Sequence, residues 1–176
     1  MIKLKSHYFQ VVLTTVLLLI CSKESKAGIQ WVEVGVNGLT CSMCTRSVEM
    51  SIRKLEFVDS VVMNLETTEG RIFLRPNVPF NLGQIAKAIV KAGFSVQFVK
   101  IRLDMDDITI HPTGVFVHRD QTFHWIDYSQ VSKKQTTLKI INEGFLPKKE
   151  ARKFKKKTEM LKKNSAQDAL YVVEDN

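Results

Sequence analysis

The chain has 176 residues, with 26 Lys and Arg against 18 Asp and Glu, and 44% of its residues are apolar. Eight Gly and four Pro are too few for a collagen-like or low-complexity chain, and the apolar fraction is sufficient for a packed core. The most apolar run, 11–20, is about half as long as the ~20 residues that a membrane-spanning helix needs. The composition therefore predicts a basic globular protein and argues against a permanent membrane span.

The N-terminal segment has the three parts of a secretory signal peptide. Two lysines precede the apolar run, and a small-x-small exit ends at Ala27. We therefore predict a signal peptide over 1–27 and an exported protein, periplasmic or secreted. A buried helix or an uncleaved anchor is one alternative. A lipid-anchored N-terminus at Cys21 is another, although Ile20 is bulkier than lipoprotein processing prefers.

Export would leave two cysteines, Cys41 and Cys44, in the mature chain. Cysteines of exported proteins usually form structural disulfides, but a bridge across so few residues restricts the unfolded chain very little. We therefore expect this pair to serve chemistry rather than stability.

The first half of the mature chain alternates between strand and helix periods. Residues 32–36 alternate as in a strand, helical spacing follows the cysteines, and two more alternating runs flank a Glu-Gly turn. A second helix begins after the N-cap Asn81 and ends at Gly93, before a last strand over 94–99. This order predicts the α+β class, with a ferredoxin-like βαββαβ sandwich as a domain over 28–100.

The C-terminal part changes character, and we predict a second domain over 104–176. Alternating pairs separated by polar turns indicate short strands, with one more at 171–173. Their apolar residues are Ile108, Ile110, Val115, Val117, Phe123, Trp125, Leu138 and Ile140. From Lys148 to Lys163, nine basic and two acidic residues surround a thin apolar stripe, which predicts one basic helix. The expected unit is a small β-rich domain with this helix, and an open barrel is one arrangement.

The sequence Gly-Leu-Thr-Cys-Ser-Met-Cys at 38–44 lies where the first strand gives way to the first helix. The free N–H groups and the dipole of a helix N-terminus favour thiolates, the form of cysteine that binds metal. Cys41 and Cys44 fall short of the four ligands of a structural zinc site, because no second CxxC and no nearby His accompany them. A soft ion of low coordination number fits better, with Cu(I) first and Hg(II) or Zn(II) as alternatives.

This motif and the residues after it resemble the heavy-metal-associated domain of copper chaperones, copper-ATPase modules and periplasmic mercury-binding proteins. The resemblance covers about 30–99. Besides the CxxC loop, it rests on Val48, Ile52, Leu55, Val61, Met63, Leu65, Ile85, Ile89, Ala92, Gly93 and Phe94. It implies a ferredoxin-like fold, metal ligation by Cys41 and Cys44, and transfer of the ion to a donor or acceptor protein with exposed thiolates.

Four positions qualify the resemblance. Leu39 stands where the family usually has Met, a change of similar volume, and Phe57 replaces a turn Gly. Phe94 is expected to shield the site or to belong to the core. Met43 is a candidate third ligand, but the resemblance disfavours it because the family leaves this position facing solvent.

Two features outside the resemblance allow a functional interpretation. His118 and His124 flank a turn that, if of odd length, sets them opposite each other, and with His111 they would form an accessory metal site. The simpler interpretation is a polar sheet surface. The basic helix is either a solvated face or a docking surface for an acidic protein or an anionic membrane surface. The export signal argues against nucleic acid.

The leading hypothesis is an exported, non-enzymatic module that binds a soft ion at Cys41 and Cys44 and passes it on. The first alternative is an envelope thiol-disulfide oxidoreductase, since a CxxC at a helix N-terminus also serves redox proteins. Thr40 disfavours it, because thioredoxin-like sites commonly have Trp there. The second alternative is a structural or interaction protein whose metal domain is idle. No phosphate loop, nucleophile elbow or zincin motif indicates an enzyme.

We expect the exported protein to begin at Gly28, because the small-x-small exit ends at Ala27. N-terminal sequencing of the exported form checks this. A lipid-modified Cys21 as the first residue would show lipoprotein processing instead.

Overall fold

The computed structural model describes residues 28–106, 108–128, 134–162 and 168–175. The predicted signal peptide with Cys21 lies outside these residues, as does Lys163 at the end of the basic run. Within the described ranges, no helix is long and apolar enough to cross a membrane.

The first half contains two helices and four strands. They are β1 (Ile29–Asn37), α1 (Ser42–Arg53), β2 (Val58–Asn64), β3 (Glu69–Leu74), α2 (Leu82–Lys91) and β4 (Ser95–Asp104). The second half contains β5 (Val115–His118), β6 (Gln121–Trp125), β7 (Gln135–Ile140), α3 (Lys148–Lys162) and β8 (Leu170–Glu174).

The first six elements have the predicted order, and their strands pair antiparallel as β2-β3-β1-β4. Residues of α1 and α2 such as Ile52 and Ile85 are fully buried in one core with Val34 of β1. Asn81 caps α2, because its side chain accepts the Gly83 N–H at 2.8 Å. The α+β prediction of a ferredoxin-like βαββαβ unit is confirmed.

The strands of the second half extend this sheet and do not form one of their own. β7 pairs antiparallel with β4, from Lys100 opposite Lys139 to Asp104 opposite Gln135. The full order is β2-β3-β1-β4-β7-β8-β6-β5. The expected separate β-rich domain is therefore not confirmed. β4 runs on to Asp104, beyond the predicted end, and its free edge provides the backbone partners that β7 takes up.

The strand predicted at Ile108 and Ile110 is wrong. Both residues lie in the connection between β4 and β5, where they are half-buried against the main core. An irregular segment that packs on a core can have the same apolar spacing as a strand, so periodicity alone does not separate the two. The other predicted strands correspond to β5, β6, β7 and β8.

The basic helix α3 packs on the sheet face opposite to α1 and α2. Phe98 and Val99 are neighbours on β4, so their side chains point to opposite faces. Val99 belongs to the main core, whereas Phe98 belongs to a second cluster. The second cluster consists of Phe98, Ile126, Ile141, Leu146 and Tyr171, against which Ala151, Phe154 and Leu161 of α3 pack. Phe98 therefore connects α3 to β4.

The β5–β6 hairpin reaches back to the first half of the chain. The His118 ring lies where a Cβ on Gly28 would stand, since that atom would come within 2.0 Å of the ring. Arg119 donates from its guanidinium to the Arg75 carbonyl oxygen at 2.9 Å. Burial, followed by the charge of Arg119, lowers the pKa of the His118 imidazole, so this contact favours the neutral ring.

Replacing Phe98 with Ala should lower the free energy of unfolding by about 3 kcal/mol, because a side chain only 8% exposed leaves a cavity between α3 and the sheet. Urea unfolding followed by circular dichroism measures it. Val62→Ala, at a position 62% exposed, is the control and should change stability by less than about 0.5 kcal/mol. A similar small change for Phe98→Ala would show that α3 is held by other contacts.

Candidate metal centre

The loop that carries the two cysteines is anchored on both sides. β1 ends at Asn37, and Gly38 turns the chain with a φ of 91°, a value that favours glycine. Leu39 is 5% exposed and belongs to the main core. Its apolar side chain therefore does the packing that we expected when it was compared with the family's Met. The loop then enters α1 through Cys41.

Cys41 is the N-cap of α1, a role that the sequence analysis missed. Its backbone is extended, with φ −149° and ψ 158°, and its Sγ accepts the Cys44 N–H at 3.2 Å. The Thr45 N–H donates to the Cys41 carbonyl oxygen at 3.1 Å. The first turn of α1 contains no acidic residue. The partial positive charge of this helix end is therefore not offset by a carboxylate and favours thiolates instead.

The two sulfurs are adjacent at the protein surface. In this structure Cys41 and Cys44 are joined as a disulfide, with their Cα atoms 5.2 Å apart. Cys41 is exposed, whereas Cys44 is half-buried and contacts the main core. Reduction would give two sulfur ligands side by side, with the remaining coordination positions open to solvent. Soft ions that accept few ligands fit such a donor set.

Two neighbours of the loop were singled out from the sequence. Met43 is 74% exposed, in agreement with the solvent-facing position that the resemblance implies. Phe94 is half-buried, packs on the main core, and lies 3.6 Å from the Cβ position of Gly38. Its ring is thus both a core aromatic and a neighbour of the loop. Shielding of a bound ion by Phe94 stays a prediction.

The histidines predicted to face each other are separated. A two-residue turn, Arg119-Asp120, connects β5 to β6, so His118 pairs with Gln121 and His124 with Val115. These pairs are three positions apart along the hairpin, and the two rings therefore lie on opposite faces. The predicted juxtaposition is wrong because the turn has an even number of residues.

The third histidine does not complete a site either. His111 lies in the connection before β5, with its Nδ1 2.7 Å from the Thr113 hydroxyl. In the described part of the chain, no group of three or more His, Cys, Asp or Glu side chains is placed to hold a metal ion. The sulfur pair is therefore the candidate centre that the geometry supports.

An α+β sandwich with a dithiol at the exposed N-terminus of its first helix defines a class of small metal-binding domains. Residues 33–95 match the heavy-metal-associated domain family. The resemblance inferred from the sequence is confirmed over this segment.

The relatives that match include two plant ATPases. The cation-transporting ATPase HMA5 of Oryza sativa subsp. japonica is 34% identical over 85 residues, and the copper-transporting ATPase RAN1 of Arabidopsis thaliana is 33% identical over 85 residues. Each alignment covers 48% of this chain and 8% of the relative. The chain thus spans less than a tenth of the length of the curated relatives it matches.

Solved structures show a similar partial coverage. The CopZ metallochaperone is 25% identical, with a TM-score of 0.34, and the alignment covers 36% of this chain and 94% of that chain. Oxidised MerP from Ralstonia metallidurans CH34 is 32% identical, with a TM-score of 0.35, and the alignment covers 38% of this chain and 94% of that chain.

Removing the cap should destabilise the reduced, metal-free protein. Cys41→Ala deletes the acceptor of the Cys44 N–H and should cost about 0.5–1 kcal/mol of stability relative to Cys41→Ser, which keeps a good capping group. Urea unfolding under reducing conditions and chelator measures the difference. Equal stabilities of the two variants would show that the sulfur does not act as a cap.

Proposed function

We propose that this protein binds one soft metal ion, with Cu(I) as the preferred ion, through the thiolates of Cys41 and Cys44 and transfers it to a partner protein with exposed thiolates. The observation that carries the proposal is the sulfur pair at an exposed helix N-terminus without a competing carboxylate. The match of 33–95 to a heavy-metal-associated domain supports it. The copper-transporting ATPase among the relatives supports Cu(I) over other soft ions.

The chemistry of binding follows from the ligand type. Each thiol must lose its proton before its sulfur coordinates the ion, so binding releases protons and weakens as the pH falls. The N–H groups at the start of α1 favour the charged sulfurs, which keeps them available near neutral pH. The disulfide form has no thiolate to offer. Metal binding therefore requires the reduced pair, and oxidation turns it off.

Transfer follows from the exposure of the loop. A bound ion with two sulfur ligands at the surface leaves room for a third. A partner's thiolate can then enter before Cys41 or Cys44 leaves, so that the ion changes hands by ligand exchange and is never released to water. The more exposed Cys41 would leave first, because Cys44 is held against the core.

The compartment is part of the proposal. Export rests on the predicted signal peptide over 1–27, and the periplasmic or secreted location stays a prediction. No catalysis is proposed, because the domain family binds metal and the sulfur pair accounts for the site without a further catalytic group. A thiol-disulfide oxidoreductase would use the same sulfurs, and the metal titration below separates the two functions.

The reduced protein should bind one equivalent of Cu(I), and Cys41→Ser and Cys44→Ser should each abolish tight binding, since one sulfur cannot hold the ion. Anaerobic titration with a competing chelator and native mass spectrometry measure stoichiometry and affinity, with Zn(II) and Hg(II) run alongside. Met43→Leu is the control and should leave the affinity unchanged, because this side chain faces solvent. Unchanged affinity in the Cys41→Ser/Cys44→Ser double variant would refute the proposal.

A further inference from the structure

The helix α3 carries positive charge that the fold does not neutralise. Two of its lysines have carboxylate partners: Lys155 lies 3.8 Å from Glu159, and Lys157 pairs with Asp127. The remaining basic residues of α3 are exposed, and the described residues supply none of them with an ion pair. These residues are Lys148, Lys149, Arg152, Lys153, Lys156 and Lys162.

The direction of this charge follows from helix geometry. Ala151, Phe154 and Leu161 pack on the second cluster, so the sheet side of α3 is apolar. With 100° per residue, Lys149, Lys153 and Lys156 fall on the side directly away from the sheet. We call these three side chains the basic ridge.

The charge is unfavourable for the helix itself. Lys149 and Lys153 are a like-charged pair at i and i+4, and both stand in the first two turns, near the positive end of the helix dipole. Burial of Phe154 and its neighbours holds α3 in place, so neither helix formation nor packing explains the ridge. A surface of opposite charge would relieve the repulsion.

The strand register places the start of α3 and the metal loop at the same end of the sheet. β1 and β4 finish their pairing at Asn37 opposite Ser95, and the loop with Cys41 follows directly. β7 runs antiparallel to β4 toward that end, and the connection 141–147 leads from it into α3. Phe98, which contacts the second cluster beneath α3, is three residues from Ser95.

We propose that the basic ridge docks an acidic face of the protein that exchanges metal with Cys41 and Cys44, an inference that rests on the proposed function. Opposite charges on two surfaces accelerate their encounter and orient them. A ridge at the loop's end of the sheet would guide the partner's thiolates to the site. The partner is thus recognised by carboxylates beside its own cysteines.

A protein partner is favoured over an anionic membrane. Helices that lie on membranes insert a free apolar face into the lipid. The apolar stripe of α3 is instead packed on the sheet, and among the described residues of this helix only Met160 is a large apolar side chain exposed to solvent.

The test follows Cu(I) transfer from the full chain to two synthetic acceptor peptides. Both contain one Cys-x-x-Cys, flanked by Glu in one peptide and by Gln in the other. The ridge variant is Lys149→Gln/Lys153→Gln/Lys156→Gln. The matched control, Lys54→Gln/Arg71→Gln/Lys87→Gln, removes the same charge from exposed positions that also lack a described ion pair. Stopped-flow rates are measured at low and at physiological salt.

We expect transfer to the Glu peptide to be about tenfold faster than to the Gln peptide at low salt. The ridge variant should lose most of this advantage, and the control variant should keep most of it. All three proteins should bind Cu(I) with equal affinity, since the ridge does not touch the sulfurs. Physiological salt should reduce the advantage, because the Debye length falls to about 8 Å.

The possible failures are distinguishable. Absence of Cu(I) binding by the reduced wild-type chain would overturn the proposed function. Normal Cu(I) binding with equal transfer rates to the two peptides, or equal losses in the ridge and control variants, would overturn the docking surface alone. Vesicles with a phosphatidylserine fraction of one third are the remaining probe. Ridge-dependent sedimentation with them, without a preference for the Glu peptide, would assign the ridge to a membrane and also overturn the inference.

Discussion

The pairing of β4 on both of its edges is the constraint on which the rest of the structure depends. One edge binds β1 and the other binds β7, so the same strand closes the metal-binding unit and begins the C-terminal half. Its side chains also serve both layers, since Val99 faces α1 and α2 whereas Phe98 faces α3. Without β4 neither core would be complete. The heavy-metal-associated unit and the rest of the described chain are therefore joined through one continuous sheet.

The second constraint is electrostatic and local to the start of α1. A helix end leaves N–H groups without partners, and a protein normally satisfies them with a hydroxyl or a carboxylate. Here the acceptor is the sulfur of Cys41, and no acidic side chain is present in the first turn. The same sulfur thus has a structural role in the apo protein and a ligand role in the proposed complex. This overlap means that loss of metal binding in a Cys41 variant has to be separated from loss of the cap.

Much of the first half could be predicted because its signals are local. Hydrophobic periods, the Asn81 cap and the position of the CxxC before a helix each depend on residues close together in sequence. The pairing of β7 with β4 could not be predicted in this way, because periodicity indicates a strand but not its neighbour. The histidine pair failed for a related reason. Hairpin turns of two residues are usually marked by Asn-Gly or similar pairs, whereas Arg119-Asp120 adopts the positive φ values of 45° and 65° without that marker.

The placement of β8 has a consequence for how the chain acquires its structure. β8 comes last among the described strands, yet it lies between β7 and β6 and pairs parallel with β6. The β5–β6 hairpin can therefore join the sheet only after residues 170–174 have been synthesised. Contacts between distant parts of a chain form slowly, and until then the free edge of β7 is exposed to other strands. The metal-binding unit, whose strands are contiguous in sequence, can be complete on the ribosome or during translocation while the C-terminal half still waits for its central strand.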